Sequence, residues 1–282
     1  MLPVRKFLVK SGNNSFYCKV SPFQNYNSNS TSTPTVRATV LFGGNDHYCF
    51  VIALPDITKD RGYIDRVEYN KACVKDGSLA PREGMQQFVS TCLYTMTRLF
   101  PTIQTLHLKD DSRIYCQEGS KTHKLSLAHD YILKYNQTYY EKKYGAQLPP
   151  PLYEKYKESL NVLDAPLDPY EFQVQRFPQL SPYQEIYTSS ASPRTFLQAL
   201  RTAYNDQYCF EVGPWLHKYM DMLQIKIYED DWFIMPHNLG KPTNYTIGKT
   251  TNRLRGGAKT VKRRAPENFT VASYKPMGFS EP

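Results

Sequence analysis

The stretch SLAPREGMQQFVSTCLYTMTRLFPTIQTLHL, Ser78 to Leu108, decides what kind of fold this chain takes. Met85, Phe88, Val89, Cys92, Leu93, Met96 and Leu99 recur at helical spacing, so one apolar stripe faces a core. Pro81 sits in the first turn, where its missing N–H costs nothing, and Pro101 ends the helix. Beyond it, Thr102–Leu108 alternates Ile103, Thr105 and His107 against Gln104, Leu106 and Leu108, a strand entering the Lys109–Ser112 turn. Upstream, Tyr63–Val74 reads as a strand as well. A helix between two strands excludes both a helical bundle and an all-β sandwich.

Working outward, Val36–Phe42 and His47–Leu54 form two strands joined through Gly43-Gly44-Asn45-Asp46, strong hairpin punctuation. Gly43-Gly44 reads as a turn, since no Gly-Lys-Ser/Thr follows to make a phosphate loop. Phe7–Lys10 and Phe16–Val20 make an edge hairpin around Gly12-Asn13-Asn14, and Gln24–Thr35 is a polar, low-complexity loop. Downstream, Leu125–Lys143 reads as one helix closed by Gly145. Residues 1–150 are therefore an α+β domain with a mixed sheet and flanking helices. Pro149-Pro150-Pro151 marks a boundary, and 151–192 is a Pro-rich connection. Residues 193–240 form a small lobe: a helix on Phe196, Leu197 and Leu200, a second on Trp215, Leu216, Tyr219 and Met220, and a hairpin of Ile225–Tyr228 with Trp232–Met235. From 241 to 282 no period survives, which reads as an extended basic arm.

The 282 residues carry a formal charge of +9, and its distribution matters more than its size. Residues 241–282 hold nine basic residues against Glu267 and Glu281, so the first 240 residues are nearly neutral. A 40% hydrophobic and 14% aromatic composition excludes wholesale disorder. No apolar run approaches the ~18 residues of a membrane span, and the start has no apolar stretch of the secretory kind. The reading is an intracellular protein, in cytosol or nucleus or incorporated in a virion. The six cysteines show no C-x-x-C pair, so free thiols in a reducing compartment are expected. Cys116, His123 and His129 can be imagined as ligands, but their spacing is not that of a metal site and none is expected. There is no Gly-x-Ser-x-Gly elbow.

Over about residues 36–148 the element order, together with two short motifs, resembles the GNAT superfamily of N-acetyltransferases. The first motif is Lys75-Asp-Gly-Ser-Leu-Ala-Pro-Arg-Glu-Gly84-Met, similar to the Gln/Arg-x-x-Gly-x-Gly/Ala loop that holds the coenzyme A pyrophosphate on backbone N–H groups at a helix N-terminus. It has one small residue fewer, and its spacing differs by one. The second is Tyr139-Tyr140-Glu141-Lys142-Lys143-Tyr144-Gly145, similar to the family's closing Tyr-Glu-Lys-x-Gly with one extra residue, a rotation of about 100° on a helix. The resemblance implies that Arg82 and Gly84 hold acetyl-coenzyme A, that Tyr140 protonates the departing thiolate, and that Glu68 fills the general-base slot. Leu125–Ala146 also resembles a motif in proteins of nucleocytoplasmic large DNA viruses, which look like diverged acetyltransferase folds with extra C-terminal regions.

Two classes of function follow. One is a non-catalytic structural or assembly protein without cofactor, a component of a large DNA virus particle, docking on other subunits through its arm. The 23 tyrosines suit a chain that lies against others. The other is an active acetyl-coenzyme A-dependent N-acetyltransferase. A third reading is nucleic-acid binding through residues 249–264, where Arg253, Arg255, Lys259, Lys262, Arg263 and Arg264 cluster with two glycines. That cluster equally suits a protein partner or a targeting signal.

Overall fold

Period-two alternation of apolar and polar residues builds the sheet. The computed structural model describes residues 3–22, 37–45, 47–81, 83–110, 112–118 and 121–250. Strands β1 (Arg5–Ser11), β2 (Asn14–Pro22), β3 (Ala38–Gly43), β4 (Tyr48–Leu54) and β5 (Arg61–Val67) run as an antiparallel meander. The helix α1 (Glu83–Leu99) then crosses over, and β6 (Thr105–Leu108) returns parallel to β5. A separate two-stranded hairpin follows, β7 (Arg113–Glu118) and β8 (Lys121–Ser126).

The rest of the chain is helical until its last strands: α2 (Leu127–Tyr135), α3 (Tyr139–Tyr144), α4 (Pro150–Leu160), α5 (Tyr170–Arg176), α6 (Gln184–Thr188), α7 (Pro193–Tyr204), α8 (Tyr208–Glu211) and α9 (Gly213–Met222). Strands β9 (Trp232–Ile234) and β10 (Thr246–Lys249) add antiparallel to β6 and β1. The eight-stranded sheet is thus ordered β10-β1-β2-β3-β4-β5-β6-β9, with β5–β6 the single parallel step. The α+β class, a large mixed sheet and flanking helices are as expected. None of the described helices is long and apolar enough to cross a membrane.

One face of the sheet carries the core. Phe7, Val9, Phe16, Val40, Phe42 and Ile52 project from it onto the apolar stripe of α1, with Phe16 edge-on to Phe88 at 4.8 Å. Met85, Phe88, Val89, Cys92, Leu93 and Met96 are all buried, as their spacing predicts. The same buried cluster continues past residues 149–151 into Tyr156, Leu163, Phe196, Leu200, Trp215 and Tyr219. Trp232 joins the two regions: its ring meets Tyr156 at 5.6 Å and its Nε1–H donates to the Ile227 carbonyl at 2.8 Å.

Several elements differ from expectation, each for a physical reason. The expected helix 125–143 is two, because Asn136 adopts a left-handed conformation (φ 57°) and Thr138 starts α3 with a capping box to Glu141. Gly145 (φ 63°) closes α3 as expected. The Pro-rich span 151–192 holds short helices, since Pro178 within it, like Pro150 and Pro193 on its two flanks, opens a helical turn rather than breaks one. Ile225–Tyr228 forms no strand: Tyr228 turns left-handed (φ 52°) and only Trp232–Ile234 pairs. The chain stays on the body beyond residue 241, through β10 to Thr250.

The expectation for the cysteines is corrected. Cys49 bonds Cys73 and Cys116 bonds Cys209, while Cys18 and Cys92 are free and buried. These partners lie 24 and 93 residues apart, so no sequence spacing could announce them; the fold brings their Cα atoms to 5.6 and 6.3 Å. Cys116 is therefore not a ligand beside His123 and His129.

Candidate functional site

The segment between β5 and α1 is the place to test the resemblance, because coenzyme A would need free backbone N–H groups there. After β5, the Glu68 N–H donates to the Cys49 carbonyl at 2.8 Å. Asn70 then caps a single 3₁₀ turn, Lys71–Cys73, with its Oδ1 accepting from the Ala72 N–H at 2.9 Å. The Cys49–Cys73 bond ties this turn to β4. Further on, the Lys75 N–H donates to the Ser15 carbonyl at 2.6 Å and the Leu79 N–H to the Lys71 carbonyl at 3.0 Å. Tyr69 donates its hydroxyl to the Leu79 carbonyl at 3.1 Å. Gly44 lies directly beneath: a Cβ there would collide with the Ala72 carbonyl oxygen, so only glycine admits the segment.

At the start of α1, a Cβ on Gly84 would approach the Ala80 Cβ to 2.9 Å, so the preceding segment is folded onto the helix end. Glu83 places a carboxylate in the first turn. A carboxylate suits the positive end of a helix, and it repels a pyrophosphate approaching the same end. Arg82 lies outside the described residues, as do Arg253, Arg255, Lys259, Lys262, Arg263 and Arg264.

Glu68 is exposed just past β5, and its nearest basic neighbour is His47, whose Nε2 is 3.9 Å away. Tyr140 is buried (7% exposed) in a ring cluster, 5.3 Å from Tyr139 and 5.8 Å from Tyr144. Burial holds the neighbouring Tyr144 hydroxyl far above its ordinary range. An acid for a departing thiolate needs access to the substrate as well as a proton. Tyr140 is packed where Glu68 is open to solvent, one in a core and the other on a rim. The segment, Gly84 and Glu68 cluster near one sheet end; Tyr140 belongs to the packing of α3.

Two titratable groups are buried with strongly displaced titration, Asp110 and the His129 that the sequence offered only as an imaginable ligand. Asp110, two residues past β6, is 2% exposed; Ser112 donates to its Oδ1 at 2.7 Å, yet burial lifts its carboxyl to about 6. His129 is buried in α2, its ring 5.2 Å from that of His217, and burial lowers it to about 3. Neither sits in a recognisable motif, and nothing short of the fold reveals their burial. Among the described residues no three His, Cys, Asp or Glu side chains gather as a metal site.

In comparisons with protein-family models, curated proteins and solved structures, nothing matches this chain.

Proposed function

We propose that the chain is a non-catalytic structural protein of an assembly, built on an acetyltransferase-like scaffold whose cofactor loop has become a structural clasp. The observation that carries this reading is the β5–α1 segment. Its N–H groups at Ala72, Cys73, Lys75 and Leu79 are engaged by the chain itself, and Cys49–Cys73 fastens it to β4. An anion held by backbone N–H groups would first have to undo that clasp. The burial of Tyr140 and the carboxylate of Glu83 point the same way. We take the assembly to be a large DNA virus particle, from the resemblance over Leu125–Ala146. Two disulfides support an enclosed, oxidising setting over the reducing cytosol.

Calorimetric titration with acetyl-coenzyme A, at low and moderate salt, tests the reading. The expected result is no heat of binding at millimolar ligand. Micromolar, salt-tolerant binding that disappears in a folded Gly84→Asp variant would overturn it and restore the enzyme reading.

That second reading draws on a specific feature, the parallel β5–β6 pair bridged by α1, which matches the family's element order. In it Arg82 and Gly84 hold acetyl-coenzyme A, Glu68 accepts a proton from an amine, and Tyr140 returns one to the thiolate.

A further inference from the structure

The eight-stranded sheet has a second face, opposite α1, and its register can be read strand by strand. One transverse row runs Lys6, Lys19, Leu41, Val51, Arg66 across β1 to β5. The next runs Ser21, Thr39, Ala53, Tyr63, His107, Phe233 across β2 to β9. Lys10, Arg61, Tyr63 and Arg66 are exposed and Leu8, Tyr17, Leu41 and Phe233 half-buried, with Val51 buried among them, so this face is a surface in its own right.

Two features of that surface point to one ligand chemistry. The first is charge. Lys6, Lys10, Lys19, Arg61 and Arg66 share the face by strand alternation, and Lys6 is held over the Tyr17 ring at 3.7 Å. Burial first, and then the Arg61 charge, lowers the His107 imidazole on β6 below its ordinary value, against Asp231 and Asp60, which raise it. The acids near these cations are at the rim: Asp60 pairs with Arg61 at 3.8 Å, and Asp65 and Glu68 flank Arg66 on β5 and just beyond it. The second feature is a ring ladder. Tyr63, His107 and Phe233 are directly opposed on three neighbouring strands, with centroids 5.6 and 6.1 Å apart, and Tyr63 is 41% exposed.

Cations beside a row of rings on an open sheet provide for phosphates and for unstacked bases at once. Duplex bases stack on one another and cannot reach such rings. The basic C-terminal segment is a poor occupant, because it carries the same sign of charge. We propose that this face binds single-stranded nucleic acid, with the backbone along Lys6, Lys19 and Arg66 and bases stacked on Tyr63, His107 and Phe233. This site is distinct from the arm.

Fluorescence anisotropy of the full chain with a labelled single-stranded oligouridine, and with its duplex, tests the proposal. The single strand is expected to bind more tightly than the duplex. Tyr63→Ala with Phe233→Ala, which leaves the arm intact, should weaken the single strand about tenfold or more. Lys19→Gln with Arg66→Gln should flatten the log–log salt slope by about 0.7 per cation. Photocrosslinking of a thiouridine oligomer to unmodified protein gives a readout free of any folding effect: adducts should map to peptides containing Tyr63 or Phe233. The proposal is overturned by equal binding in a folded ring variant, by adducts confined to 251–282, or by no binding of the single strand.

Discussion

Asp110 and His129 are two buried titratable side chains with opposite demands on pH. The Asp110 carboxyl is held at about 6 by burial, against an ordinary value of 3.8. Between those values the folded chain keeps a proton that the unfolded chain has lost, so this contribution is intact below about 4 and lost as pH rises through 6. His129 is the reverse: held at about 3 against 6.5, it contributes fully above 6.5 and its contribution is lost as pH falls toward 3. From pH 4 to 6 the two slopes oppose each other. Melting temperature of the wild type should therefore change little across that window, while Asp110→Asn should melt higher as pH rises and His129→Phe lower. At pH 8, Asp110→Asn is expected to exceed wild type by up to about 3 kcal/mol, the linkage equivalent of its displaced titration. Parallel pH profiles for all three proteins would contradict this assignment.

At the scale of elements, Arg194 is the joint that fixes the helices to one another. From the first turn of α7 its guanidinium meets both Asp164 oxygens, at 2.6 and 3.0 Å. It also donates to the carbonyls of Ile132 and Leu133 at the end of α2, and to the Asn136 side chain at 2.6 Å. The fork satisfies a helix C-terminus and an ion pair together, geometry that an ammonium cannot copy. Arg194→Lys should cost about 2–4 kcal/mol in chemical denaturation, given the number of charge-assisted bonds lost. Gly145→Ala should cost about 1 kcal/mol, because its φ of 63° leaves an L side chain strained. Helix α1, the β1–β2 and β3–β4 hairpins and the Gly145 cap were legible, because each depends on local periodicity or turn chemistry. The strand β10 and the Arg194 joint were not, because each depends on a partner distant in sequence, such as Lys6 for the Thr250 N–H; the hairpin β7–β8 and the break at Asn136 are local but lie under patterns that also read as turn and helix. The candidate site was half legible. Glu68 and Gly84 could be placed at one end of the sheet, but neither the Cys49–Cys73 clasp nor the burial of Tyr140 follows from composition or spacing.

For the whole molecule, the two disulfides close loops of very different length, and loop-closure entropy assigns them about 3 and about 5 kcal/mol, the longer loop the larger. Reduction should lower the melting temperature in two separable steps, resolved by comparing Cys49→Ser and Cys116→Ser in calorimetry; a single common loss in both would mean that the loops unfold together. The Cys116–Cys209 bond also changes how the molecule responds to tension. Its partners are 93 residues apart, so pulling on the two ends routes force across the sulfur bridge and leaves everything between untensioned. At about 3.5 Å per residue, that withholds about 320 Å of contour length until the bridge is reduced. In an optical trap the oxidised wild type should extend by about that much less than a Cys116→Ser variant that keeps the Cys49–Cys73 bond. A chain wired in this way can be strained at its ends while the helices between residues 117 and 208 carry no load.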